Sequence, residues 1–125
     1  MDENKKKILI VDEAGFSRIC TAILEREGYL IHALPDVNQL NAENNYNDFG
    51  LVITSYPYGA NLLENLKKTK IPIIILSDQM SRDLMLTLDH FDKGRSHCMI
   101  KPLDYHKFRT LVNKTMSRGQ DHKLQ

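Results

Sequence analysis

Net charge, cysteine and long apolar runs are all scarce in this chain of 125 residues, and each shortage excludes a class of protein. Seventeen Lys and Arg stand against sixteen Asp and Glu, a formal net charge of +1, so no overall electrostatic footprint points to nucleic acid or to an anionic membrane. The basic cluster Lys5-Lys6-Lys7 reads as a solvated lead-in to the first strand rather than a nucleic-acid arm. The two cysteines, Cys20 and Cys98, show no paired spacing such as CxxC, which predicts reduced thiols in a cytosolic protein. No apolar run approaches the about 20 residues that span a bilayer. No signal peptide is expected either, because charged residues pass straight into a short apolar run. What remains is 42% hydrophobic and 26% charged, the composition of a cytoplasmic single domain with one real core.

The chain is organised around Lys7-Ile8-Leu9-Ile10-Val11, which ends in two adjacent acids, Asp12 and Glu13. A run this short and continuous reads as a buried parallel strand. In open α/β sheets chemistry gathers at the carboxyl ends of strands. The later strand candidates also end in polar residues: Thr54-Ser55, Ser77-Asp78 and Lys101-Pro102.

Between these runs the period changes to that of helices. Phe16, Ile19, Cys20, Ile23 and Leu24 form one apolar stripe, and Gly28 is placed to stop that helix. Tyr29 to Ala33 is the second strand candidate, with His32 on it as a rim or structural histidine. Asp36 can cap a second helix through Val37 and Leu40, and the Asn-rich stretch from Asn41 to Asn47 reads as loop or frayed helix. Leu51-Val52-Ile53 is the third strand, with Pro57 and Gly59 marking the turn after it. Leu62, Leu63 and Leu66 mark a third helix ending in Lys67-Lys68, and Ile71 to Leu76 a fourth strand. Ser81 or Ser77 caps a fourth helix carrying Leu84, Leu88 and Phe91, which Gly94 ends. His97 to Ile100 is the fifth strand, and Phe108, Leu111, Val112 and Thr115 share one face of a last helix. Residues 118–125 read as a polar tail or linker after a domain spanning 1–117. Five strands alternating with five helices predict a parallel sheet covered on both faces.

Four features in this order carry a resemblance: Ile8-Leu9-Ile10-Val11-Asp12-Glu13, Glu25-Arg26-Glu27-Gly28-Tyr29, Pro72-Ile73-Ile74-Ile75-Leu76-Ser77, and Gly94 followed by Lys101-Pro102. From about Lys6 to Met116 the chain resembles the receiver domain of bacterial two-component response regulators. The resemblance implies a flavodoxin-like (βα)5 doubly wound sheet in the order 2-1-3-4-5, with its site at the switch point between strands one and three. It also implies roles. Receivers accept a phosphoryl group from a histidine kinase on an Asp ending strand three. An acidic pair and that Asp hold Mg²⁺, a cation that wants oxygen ligands. By position Asp12 and Glu13 match the acidic pair, Ser77 the strand-four hydroxyl and Lys101 the strand-five lysine, with a cis bond to Pro102 as a family habit.

The acceptor acid is missing. Ser55 aligns with it, Thr54 is the second choice, and Asp48 lies at the wrong end of the strand. An alcohol is uncharged at neutral pH and a poor nucleophile without a base. With one carboxylate lost, Mg²⁺ binding at Asp12 and Glu13 is expected to be weak or absent, and no other cofactor is implied. Cys98 stands where the family's switch aromatic would be. Asp78 would repel an incoming phosphoryl group. The turn after strand three is also short for the family. A Cys98–His97 nucleophilic pair is disfavoured, because adjacent strand residues point to opposite faces.

The leading reading is a degenerate, non-enzymatic receiver that acts by protein–protein contact. Its partner would be a histidine kinase or an output protein, engaged through the face of helix four, strand five and helix five, with a homodimer through the same helices as a further option. Candidate contacts are Arg82, Met85, His90, Lys93, Tyr105 and Arg109. Lys101 is also a candidate to pair with Asp12 and offset the charge at that strand end. The alternatives are a phosphorylation switch on the Ser55 hydroxyl and a small-ligand, flavin-like module. Two acids in the loop after strand one argue against a flavin phosphate there.

Overall fold

Each of the five strand candidates forms a strand; the central three are continuous Ile, Leu and Val runs buried on both faces, while the two edge strands are partly exposed. β1 (Lys7–Val11), β2 (Leu30–Leu34), β3 (Leu51–Tyr56), β4 (Ile73–Ser77) and β5 (Ser96–Ile100) make one sheet in the order β2-β1-β3-β4-β5. Every neighbouring pair is parallel. Four helices accompany them among the described residues: α1 (Ala14–Glu25), α2 (Ala60–Leu66), α3 (Arg82–Leu88) and α4 (Tyr105–Leu124). The computed structural model describes residues 7–35, 48–91 and 94–124, with side chains as far as 117. The helix read from Asp36 through Val37 and Leu40, the Asn-rich loop and the contact candidate Lys93 lie outside the described residues. The flavodoxin-like order expected from the resemblance is the order observed.

Alternation along the strands divides the core into two layers. Leu9, Val11, Val52, Ile73 and Ile75 face one way and pack with Leu62, Leu63 and Leu66 of α2 and Leu84 of α3. Ile8, Ile10, Leu51, Ile53, Ile74 and Leu76 face the other way and pack with Cys20 and Leu24 of α1 and Phe108 and Val112 of α4.

Local signals set the element ends. Gly28 at φ 92° and Gly94 at φ 87° take the left-handed conformation that favours glycine. Ser81, not Ser77, caps α3, accepting from the Leu84 amide at 3.1 Å. Ser77 instead donates to the Gln79 carbonyl at 2.8 Å. Long-range clamps add to these. Arg95 donates to the Leu66 and Ile71 carbonyls at 2.6 and 3.0 Å, and Tyr29 donates to Asn113 of α4 at 2.5 Å. Both Lys101-Pro102 and Tyr56-Pro57 are cis.

Several boundaries differ from the sequence reading. β2 starts and ends one residue later, and β4 spans Ile73–Ser77 rather than Ile71–Leu76. α4 continues in helical backbone to Leu124, through the stretch read as a polar tail. The difference that bears on function is in β3. It runs on through Thr54, Ser55 and Tyr56, because β4 supplies partners for all three: Ile75, Leu76 and Ser77. The sequence reading takes Leu51-Val52-Ile53 as the strand, with Thr54-Ser55 as its polar end and the turn at Pro57 and Gly59.

Candidate functional site

The carboxyl ends of β1, β3, β4 and β5 bring together the residues singled out from the sequence. Asp12 follows β1 and is 1% exposed, while Ser55 near the end of β3 is 4% exposed. The Ser55 hydroxyl donates to Asp12 Oδ2 at 2.5 Å, and the other carboxylate oxygen accepts from the Glu13 amide at 2.8 Å. Ser17 of α1 donates to the Asp12 carbonyl at 3.2 Å. Asp12 is therefore held by neutral donors from three directions.

Thr54, the second choice for the acceptor position, points elsewhere. Its hydroxyl donates to the Val11 carbonyl at 2.7 Å, so it ties β3 to β1 and is not the hydroxyl that meets the Asp12 carboxylate. Glu13 is exposed on the lip of the site. Ser77 closes the β4 side, and its carbonyl accepts from the Lys101 amide at 2.8 Å.

Lys101 does not pair with Asp12. Its ammonium sits 4.4 Å from the centroid of the Phe16 ring, and the ion pair recorded among the described residues is Lys67–Glu64 at 2.8 Å. The expected Lys101–Asp12 pair is thus corrected. With Ser55 already donating to Asp12, the lysine finds a face of negative potential on the aromatic ring instead. Phe16 had been assigned to the core stripe of α1, and no local pattern connects it to Lys101.

Cys98 is half-buried on the α3 side of the sheet. His97 pairs with Ile74, whose side chain belongs to the opposite layer, so the two residues do not form a nucleophile–base pair. His32 is exposed with its ring centroid 5.8 Å from that of Phe49, a rim position. Among the described residues no group of three or more His, Cys, Asp or Glu comes together as a metal site. The resemblance to receiver domains implies Mg²⁺, but the residues present do not fit it. They offer two acids and an alcohol, and the alcohol already takes one of the Asp12 oxygens.

Beneath the site lies Cys20, fully buried in α1. Burial pushes its thiol up to about 12, the negative charge of Asp12 adds to the shift, and the positive charge of Lys101 opposes it. Burial also raises the Cys98 thiol. A thiol reagent at about pH 8 is expected to modify Cys98 first and to reach Cys20 only on unfolding. The unfolded chain releases the Cys20 proton near the ordinary thiol value of 9.0, whereas the folded one holds it to about 12. Between those values the native state binds more protons, so stability falls as the pH rises. Mass-resolved labelling checks the first expectation, and equal labelling rates for the two thiols in the folded protein would refute it.

The sequence matches no protein-family model, and no curated protein matches it. Solved structures do. The non-phosphorylated receiver domain of HemR from Leptospira biflexa superposes with a TM-score of 0.73 at 21% identity, covering 89% of this chain and 94% of that one. A two-component response regulator from Clostridium difficile gives 0.74 at 21% identity, covering 90% and 96%. NtrX from Brucella abortus, solved in complex with ATP, gives 0.77 at 20% identity, covering 94% of this chain and 28% of that one. With the order β2-β1-β3-β4-β5 and polar residues gathered at the strand ends, the chain has the fold of a response-regulator receiver domain.

Proposed function

We propose that this chain is a receiver-type signalling domain that acts by protein–protein contact and is not switched by aspartyl phosphorylation. One observation carries this reading: Ser55, which aligns with the acceptor aspartate, is buried and donates its proton to Asp12 at 2.5 Å. A carboxylate acceptor would bring a nucleophilic oxygen and a third metal ligand. An alcohol supplies no anionic metal ligand, and any phosphate it took up would be an ester rather than the acyl phosphate of an aspartate.

Surface character supports the mode of action. α3, β5 and α4 (the elements read from the sequence as helix four, strand five and helix five) expose Met85 and Leu86 at 54%, Tyr105 at 52% and Ile100 at 44%. Arg82, His90 and Arg109 belong to the same elements and their flanks. Exposed methionine and tyrosine suit a protein partner, since the one repacks easily and the other combines an apolar body with a polar tip. The partner class is a histidine kinase or an output protein. A second copy of the chain engaging the same face would appear as a dimer in sedimentation.

The test is incubation with Mg²⁺ and acetyl phosphate followed by intact-mass spectrometry, with beryllofluoride binding as a parallel probe. The expected result is no added phosphate and no response to beryllofluoride. A hydroxylamine-labile adduct on Asp12 or Asp78 would overturn the proposal. A stable adduct on Ser55 would favour a second reading, a hydroxyl switch in which Asp12 accepts the serine proton. The Ser55–Asp12 contact favours that chemistry, but the burial of Ser55 keeps it out of reach of a protein kinase cleft.

A further inference from the structure

α1 and the carboxyl end of β2 border a cavity of about 450 Å³, a volume in the range of small-ligand pockets. It lies on the opposite edge of the sheet from β5. Ala22 of α1 and Ala33 of β2 supply apolar walls, Asp12 and Ser17 are the buried members of the lining, and Arg18 and Glu25 are exposed ones. Two acids against one arginine leave these residues with a formal charge of −1.

Asp12 is the unusual member. It is 1% exposed and accepts from the Glu13 amide and the Ser55 hydroxyl. A carboxylate has room for about four hydrogen bonds, so two acceptor positions remain. Both donors are neutral, Lys101 sits on Phe16, and Arg18, exposed in the same lining, makes no ion pair with Asp12 among the described residues. A buried carboxylate without a cation is unusual, since desolvation of a charge is normally offset by an opposite one.

We propose that this cavity binds a small organic cation, with its charged head on Asp12 and its apolar body against Ala22 and Ala33. The site is distinct from the protein-contact face and does not depend on that reading.

Benzamidine, an aromatic amidinium, is the probe, and benzamide is its neutral counterpart of similar shape. Titration of the full chain followed by amide chemical shifts should move residues of α1 and β2 with benzamidine. Benzamide should bind about ten- to a hundredfold more weakly, the loss set by a charge-assisted hydrogen bond. Asp12→Asn should weaken benzamidine by a similar factor. Because Asp12 also anchors Ser55, the decisive variant is Ala22→Trp, an exposed helix position, which should abolish binding while leaving the remaining spectrum in place. Equal binding of benzamide, binding unaffected by Ala22→Trp, or no shift with benzamidine would each overturn the proposal. So would Mg²⁺ alone producing the same shifts in the Ala22→Trp variant, which would mark an inorganic cation site instead.

Discussion

Ser55→Asp is expected to make the stability of this domain depend on Mg²⁺. The serine now donates to Asp12 at 2.5 Å with both residues buried. An aspartate there replaces a donor with a second carboxylate, and like charges in a buried site repel. The loss without metal should be roughly 3–5 kcal/mol, the range for a buried charge left uncompensated. Asp12, Glu13 and the new carboxylate would together form the acidic trio that suits a hard divalent cation. Mg²⁺ at a hundred times its dissociation constant should then return about 2.7 kcal/mol by linkage. Urea unfolding with and without Mg²⁺ reads both effects, and the parent chain should show neither. The same variant should gain a hydroxylamine-labile phosphate from acetyl phosphate, going from none to a substantial fraction of the protein. A Ser55→Asp chain as stable as the parent and indifferent to Mg²⁺ would mean that these strand ends cannot be rebuilt into a receiver site by one residue.

The second large effect is expected at Gly59, in the turn after β3. A Cβ at this position would lie 2.0 Å from Thr54 Oγ1 and 3.0 Å from Thr54 Cβ. Thr54 cannot rotate away freely, because its hydroxyl holds the Val11 carbonyl at 2.7 Å and the residue is fully buried. Gly59→Ala should therefore cost about 3 kcal/mol or more, combining overpacking with a strained or broken buried hydrogen bond. Against a total stability of about 5–15 kcal/mol that is a large fraction. The denaturation midpoint should fall with little change in slope. The Thr54→Ala, Gly59→Ala double variant should lose less than the sum of the single ones, because the clash goes with the threonine. Gly15→Ala is the internal control. No atom lies within 4 Å of a Cβ there, and alanine in α1 should be neutral or stabilising by about 0.5–1 kcal/mol. Additive losses at Thr54 and Gly59 would show that the two residues do not contact.

Parts of this molecule were legible before any coordinates. Ile8 to Val11 and Ile73 to Leu76 announce buried parallel strands because both faces of such strands meet helices, which leaves no polar alternation to mistake. The α1 stripe of Phe16, Cys20, Ile23 and Leu24 with Gly28 after it, and Leu84 and Leu88 of α3, follow a period set by a single helix, although Ile19, read into the same stripe, is exposed. The end of β3 was not legible in the same way. Polarity marks Thr54 and Ser55 only as the end of an apolar run, yet they and Tyr56 lie within the strand because Ile75, Leu76 and Ser77 of β4 are there to pair with them.

The sequence by itself determined the number of strands, the burial of the central ones on both faces, and the absence of an acid after the third apolar run. These are local properties: chain period, turn residues and side-chain identity. Only the tertiary structure decided that Ser55 rather than Thr54 meets Asp12, that Lys101 rests on Phe16 rather than on the carboxylate, and that Gly59 must lack a side chain. Each of these depends on how neighbouring strands lie in register or on which groups a crossover brings within a few ångströms. Contacts of that kind join residues far apart in sequence, so no local pattern encodes them singly, and they exist only once the sheet has assembled.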